Sequence, residues 1–122
     1  MSQKTTKDAK DAIFNQVAQY NQRYDTSKPL FFDTETTGGG RNDQIIEIAF
    51  CDSDRHVIID TLIYTDRPSS LGALKVHGIY PHELIGKPTF INIQPAIVQL
   101  LKGRTLYAYN ANFNIRMMRQ PG

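Results

Sequence analysis

The chain has no tryptophan and one cysteine among its 122 residues. A lone thiol makes no internal disulfide, so the fold must rest on burial alone. Cys51, set in an apolar run, reads as a buried thiol in a reducing compartment rather than a nucleophile. Charge of one sign is also scarce: 14 Lys+Arg against 12 Asp+Glu leave a formal +2, an excess too small to identify a polyanionic partner by itself. No apolar stretch nears the roughly 20 residues needed to cross a bilayer. The N-terminal MSQKTTKDAKDA is too polar for a secretory signal, and the chain reads as cytoplasmic. There is no repeat and no low-complexity tract. What is present is enough for one domain: 40% hydrophobic residues can bury a modest two-layer core.

A capping box at Thr5 and Asp8 opens a helical period in which Ala9, Ile13, Val17, Tyr20 and Tyr24 share one face. The turn-rich segment Asp25-Thr26-Ser27-Lys28-Pro29 ends it, so residues 1–28 form an amphipathic helix and linker ahead of a second unit, residues 29–122. That unit opens on strands over residues 30–36, 44–51 and 57–64, with Asp52-Ser53-Asp54 turning the second into the third. This is an antiparallel three-strand meander. Residues 67–87 carry too many prolines and glycines for more than short helical turns. Thr89 caps a helix with Ile93, Ile97, Leu100 and Leu101 inward and Gly103 at its end. A fourth strand over 105–109 and a helix from Ala111 follow.

Within Phe31-Phe32-Asp33-Thr34-Glu35, residues two apart on a strand share a face, so Asp33 and Glu35 project side by side. Two like charges at the end of an aromatic strand are either solvated or neutralised by a cation, and oxygen donors suit Mg²⁺ or Mn²⁺. Both readings stand on the residues alone. Gly38-Gly39-Gly40 follows a strand but fits no dinucleotide fingerprint and lacks a phosphate-loop lysine, so it reads as a turn. Glu47, amid isoleucines, could reach the metal side but reads first as structural, and Lys75, Lys87, Arg104, Arg116 and Arg119 read as solvated surface.

Three stretches carry a resemblance to a known family. FFDTETTGGGRNDQIIEIAF resembles the first motif of the DEDD superfamily of 3′→5′ exonucleases. ALKVHGIYPHELIGKPTF resembles the segment that follows the third strand there, with its His77-Gly78-Ile79 element, and YAYNANFNIRMMRQ is similar to the second motif, Asn-Ala-x-Phe-Asp. The resemblance implies an α/β fold: a ribonuclease H-like mixed sheet, the antiparallel meander plus a parallel fourth strand, flanked by helices and incomplete at the C-terminus. It implies metal-dependent hydrolysis at 3′ ends of single-stranded DNA or RNA, with Asp33 and Glu35 holding Mg²⁺ or Mn²⁺. It places Thr36, Thr37, His77, Tyr109, Asn110 and Phe113 on the substrate side. Tyr109 stands where many relatives have histidine.

Two departures bear on activity. The second motif has Asn114 where the family has aspartate, so the catalytic set Asp33, Glu35 and Asn114 is one charge short. The sequence ends at Gly122, ahead of the third motif with its histidine and last aspartate. The expectation is therefore a partial exonuclease domain with weak or absent turnover and weak metal binding, prone to self-association or to complementation by the missing segment. The alternatives are a non-catalytic module that binds single-stranded nucleic acid and a degenerate remnant.

Overall fold

A computed structural model of the chain describes residues 2–108 and 111–120, with side chains described for 7–108 and 113–120. The elements in order are α1 (Ser2–Arg23), β1 (Leu30–Thr36), β2 (Ile45–Asp52), β3 (Val57–Leu62), α2 (Leu71–His77), a 3₁₀ turn at Pro81–Leu84, α3 (Phe90–Leu101), β4 (Leu106–Tyr107) and α4 (Ala111–Arg119). Strands order as β3-β2-β1-β4, antiparallel except for the parallel pair β1–β4. The mixed sheet with its meander and parallel fourth strand is the arrangement the sequence implied.

Alternation along β1 decides the layers. Leu30, Phe32, Thr34 and Thr36 are buried while Phe31 and Asp33 are exposed and Glu35 half-buried, so one face is covered and the other open. On the covered face Leu30, Phe32, Ile48, Phe50 and Ile59 meet Ile13, Val17 and Tyr20 of α1 and Ile93, Ala96, Ile97 and Leu100 of α3. Thr89 caps α3 as its sequence implies, accepting from the N–H of Asn92 while Asn92 Oδ1 accepts from the N–H of Thr89.

Four local expectations need correction. Helix α1 begins at Ser2, three residues before Thr5, so the Thr5 capping box does not start it. Cys51 is half-buried rather than buried, because its partner Phe31 points to the open face. The third strand stops at Leu62, short of Tyr64, and Tyr64 N–H donates to the carbonyl of Pro88 instead. The fourth strand is only Leu106–Tyr107; Tyr109 and Asn110 lie outside the described residues.

Candidate active site

Strand pairing assembles a row of carboxylates on the open face. In β1–β2, Asp33 stands opposite Ala49 and Glu35 opposite Glu47; in β2–β3, Ala49 stands opposite Asp60. Opposed residues share a face, so Asp33, Glu35, Glu47 and Asp60 all rise from the open side of three neighbouring strands. A register shift between Glu35 and Thr36 pairs Thr36 with Ile45 and leaves Ile46 extra, a bulge at the acidic end of the strand. The electrostatics report the crowding: burial, then the charges of Asp60, Glu35 and Asp33, push the Glu47 carboxyl above its usual range, and His77 acts the other way. Of the two roles the sequence leaves open for Glu47, the strand register supports the metal side: it faces the carboxylate pair. Its even spacing from Ala49 and Cys51 sets its face but not which face is open.

Beyond β1 the chain forms a loop knitted by Asp43. Its carboxylate accepts from Thr37 Oγ1, the N–H of Gly40 and Arg67 Nε, each at 2.8 Å, and these donors hold it below the usual carboxylate range, Arg67 foremost. A Cβ on Gly38 would come within 2.6 Å of Asp43 Oδ2, so glycine is required there by close approach. Arg116 of α4 and Gln120 just after it donate to the carbonyls of Gly39 and Gly40, which pins α4 to the loop. The Gly38-Gly39-Gly40 turn is therefore a structural seat.

This seat brings several sequence-predicted residues together. Glu35, Thr36, His77 and Phe113 line one pocket of about 300 Å³, closed by Gly38 and Gly39 of the glycine loop and by Ser70, Gly72, Ala73 and Val76 at α2. His77 ends α2, and Gly78 at φ 66° turns the chain away. The N–H of Ile79 donates to His77 Nδ1 at 2.9 Å, and Nε2 lies 3.2 Å from Ser69 Oγ. Because Nδ1 accepts, the proton sits on Nε2 and is donated to Ser69. Thr37 behaves differently from Thr36: it is fully buried, its hydroxyl given to Asp43 and accepting from the N–H of Gln44. Asn114 is 3% exposed and its Oδ1 accepts from Thr34 Oγ1 at 2.7 Å. Its amide thus meets the covered-face residue between the two carboxylates.

Among the described residues, the one set of three metal-ligating side chains whose donor atoms lie within 4.8 Å of one another is Asp52, Asp54 and His56, at the hairpin turn that the sequence predicts. Its donors are already engaged. Asp52 accepts from Tyr20 Oη, the N–H groups of Asp54 and His56, and the His56 ring, and Asp54 pairs with Lys28 at 2.6 Å. Burial would raise the Asp52 carboxyl, yet the bonds from His56 and Tyr20 outweigh it and lower it to about 2. This cluster closes the β2–β3 hairpin onto α1.

The RNase T exonuclease family matches residues 30–121, three quarters of the chain. The chain belongs to that exonuclease family. It is a DEDD 3′→5′ exonuclease superfamily member, and its sheet is the ribonuclease H-like fold of these exonucleases. It is 40% identical over 91 residues to the DNA polymerase III subunit epsilon of Treponema pallidum, covering 71% of this chain and 42% of that one. It is 30% identical over 104 residues to an uncharacterized exonuclease of Escherichia phage 186, covering 85% and 54%. Among solved structures, E. coli exonuclease I in complex with a dT13 oligonucleotide superposes with a TM-score of 0.63 at 26% identity, over 76% of this chain and 23% of that one. Exonuclease X in complex with 5′ overhanging duplex DNA gives 0.61 at 30%, over 76% and 55%. The chain thus spans about half or less of the length of these exonucleases.

The exonuclease family implies a divalent metal, and the open face can be tested for it. Asp33 is exposed, Glu35 half-buried, and the raised Glu47 carboxyl marks an excess of negative charge. Such an oxygen-donor set fits a hard cation. The amide oxygen of Asn114, already accepting from Thr34, adds no charge to it.

Proposed function

We propose that this chain binds the 3′ end of a single-stranded nucleic acid, DNA or RNA, through an Asp33–Glu35 cation site and the adjoining pocket, and hydrolyses it weakly or not at all by itself. The observation that carries the reading is the alignment of Asp33 and Glu35 on the open sheet face beside a pocket walled by Glu35, Thr36, His77 and Phe113. Asp33 and Glu35 would hold Mg²⁺ or Mn²⁺, which in this family's chemistry activates water and steadies the leaving oxygen. Phe113 supplies a ring for a terminal base to stack on. Thr37, being buried, supports the loop through Asp43 and Gln44 and offers its side chain to no substrate.

Weak turnover follows from what the described residues offer as acid or base. The Nδ1 atom of His77 is occupied by a backbone N–H and its Nε2 proton by Ser69, while His56 is bonded to Asp52 on the hairpin. The Nε2 lone pair of His56 stays open, but His56 lines a groove beside α1 and His82 lines a further pocket, so neither stands in the pocket that holds Glu35. A missing general base removes a factor of about 10² to 10⁴. The same facts support the second reading, a module that binds single strands without cutting. Completion by a further polypeptide segment fits the open face, where Phe31 and Tyr107 stack at 5.4 Å with both rings exposed.

The test is a 3′-labelled oligonucleotide incubated with Mn²⁺ and the native chain, Asp33→Ala and Asn114→Asp. The expected result is near-background release by all three and Asp33-dependent retention of the oligonucleotide. Robust release by the native chain, abolished by Asp33→Ala, would overturn the inactivity. Binding indifferent to Asp33→Ala would overturn the site.

A further inference from the structure

Helix α1 lies outside the segment that matches the exonuclease family, yet it forms one wall of an open groove of about 580 Å³ against the edge strand β3. Two guanidinium side chains converge on it: Arg23 from the last turn of α1 and Arg55 from the β2–β3 turn. Neither has a hydrogen bond or ion pair with any described residue. Arg104 and Arg116, by contrast, are engaged with backbone carbonyls. Beside the two free cations stands an aromatic column in which Tyr24 packs 4.9 Å from Tyr20 and 4.3 Å from His56. Gln19 adds an amide donor and acceptor, and Asp60, from the open carboxylate face, closes the far end.

The backbone at Arg55 adds an independent observation. Its φ of 69° is the single positive value among described non-glycine residues. At the fourth position of such a hairpin turn glycine or asparagine meets that geometry with least strain. An arginine there costs conformational energy that its side chain does not recover through a hydrogen bond or ion pair with any described residue. Strain held at an exposed cation points to use outside the fold.

We propose that the α1–β3 groove is a binding site for the phosphodiester backbone of a single-stranded nucleic acid, with Arg23 and Arg55 contacting successive phosphates and the Tyr24–His56 stack supporting a base. Phosphates favour guanidinium pairs, and bases favour an exposed ring column. Gln16, Gln19, Arg23, Arg55 and Asp60 interrupt the apolar lining of Val57 and Ile58, a mixed wall that suits a sugar-phosphate strand with its bases. The groove runs to Asp60, one strand beyond Ala49 and two beyond Asp33, so a strand lying in it leads toward the carboxylate face. The site is separate from that face and does not depend on cation binding.

The probe is a fluorescein-labelled dT12, followed by anisotropy in EDTA so that the carboxylate site contributes nothing through metal. The native chain and R23Q/R55Q are compared between 50 and 200 mM salt. Each lost contact to a single strand lowers the slope of log K against log salt by about 0.7. R23Q/R55Q should therefore lower it by about 1.4 and weaken binding at 50 mM roughly ten-fold or more. Competition by dTMP separates a mononucleotide site from a strand site: failure of dTMP to displace dT12 is expected, and full displacement at equal concentration would overturn the strand assignment. Unchanged affinity and slope in R23Q/R55Q would overturn the groove. The single variant Arg55→Gly keeps the test sound, since it relieves the positive φ and should melt no lower than the native chain while still losing affinity.

Discussion

Replacing Glu47 with Gln isolates the charge crowding on the open face. The side chain keeps its size, and its direct cross-strand partner, Glu35, keeps its charge. Like charges directly opposite on a sheet cost up to about 1 kcal/mol, and Asp60 and Asp33 add to the field at Glu47. Glu47→Gln should thus stabilise the metal-free chain by roughly 1 kcal/mol near neutral pH, or about 3–6 °C in Tm for a domain of this size. The sign with pH is definite. A carboxyl whose folded pKa lies above its ordinary 4.5 leaves the fold most stable while protonated, and stability falls as pH rises through the raised value. The difference between the two proteins should therefore be absent near pH 4 and grow toward pH 7. A divalent cation on Asp33 and Glu35 neutralises the same field, so Mg²⁺ should raise the native Tm and narrow the gap. Linkage gives about 1.4 kcal/mol at ten times Kd. Differential scanning fluorimetry at pH 4, 5.5 and 7, with and without 10 mM Mg²⁺ (about ten times an assumed millimolar Kd), reads all three effects. A Gln variant that melts at or below the native chain at pH 7 without metal would refute the reasoning, since the carboxylates would then not repel.

Other perturbations reach the supports of the site. Asp52→Asn should cost about 2 kcal/mol at pH 7, because a carboxyl lowered from 3.8 to about 2 contributes stability above pH 4 that is lost as pH falls toward 2; acid titration of the unfolding free energy should bring the variant and native curves together there. Gly38→Ala places a methyl against the Asp43 carboxylate and should destabilise by about 1–3 kcal/mol, with faster hydrogen exchange at Gly40 and Gln44. Thr34→Val removes the donor to the buried Asn114 amide and should cost about 1–3 kcal/mol in urea unfolding.

Strand β1 ends where its sequence pattern ends, at Leu30 and Thr36, because alternation and the flanking proline and glycines are local signals. The same alternation put Asp33 and Glu35 on one face. What it leaves open is which face the helices cover, a choice made by α1 and α3 from far along the chain. That choice explains why Cys51, in an apolar run, is half-buried and why Glu47, amid isoleucines, looks out at the acidic pair. Thr37 turned inward for a related reason: its partner Asp43 sits six residues away in the loop, and nothing in the motif itself displays that bond. Asp52 resembled an ordinary turn residue. Its role in joining Tyr20 of α1 to the hairpin is a contact over 32 positions, beyond any local pattern. The family motifs located His77 and Phe113 as site residues, and the fold brings both to the pocket with Glu35.

The central claim, a divalent cation held by Asp33 and Glu35 on the open sheet face, is tested most directly by titrating Mn²⁺ into the native chain and Asp33→Ala while following water-proton relaxation. The account predicts one weak site in the native chain, absent in Asp33→Ala and competed by Mg²⁺. An identical titration in the two proteins, or two tight sites in the native one, would contradict it.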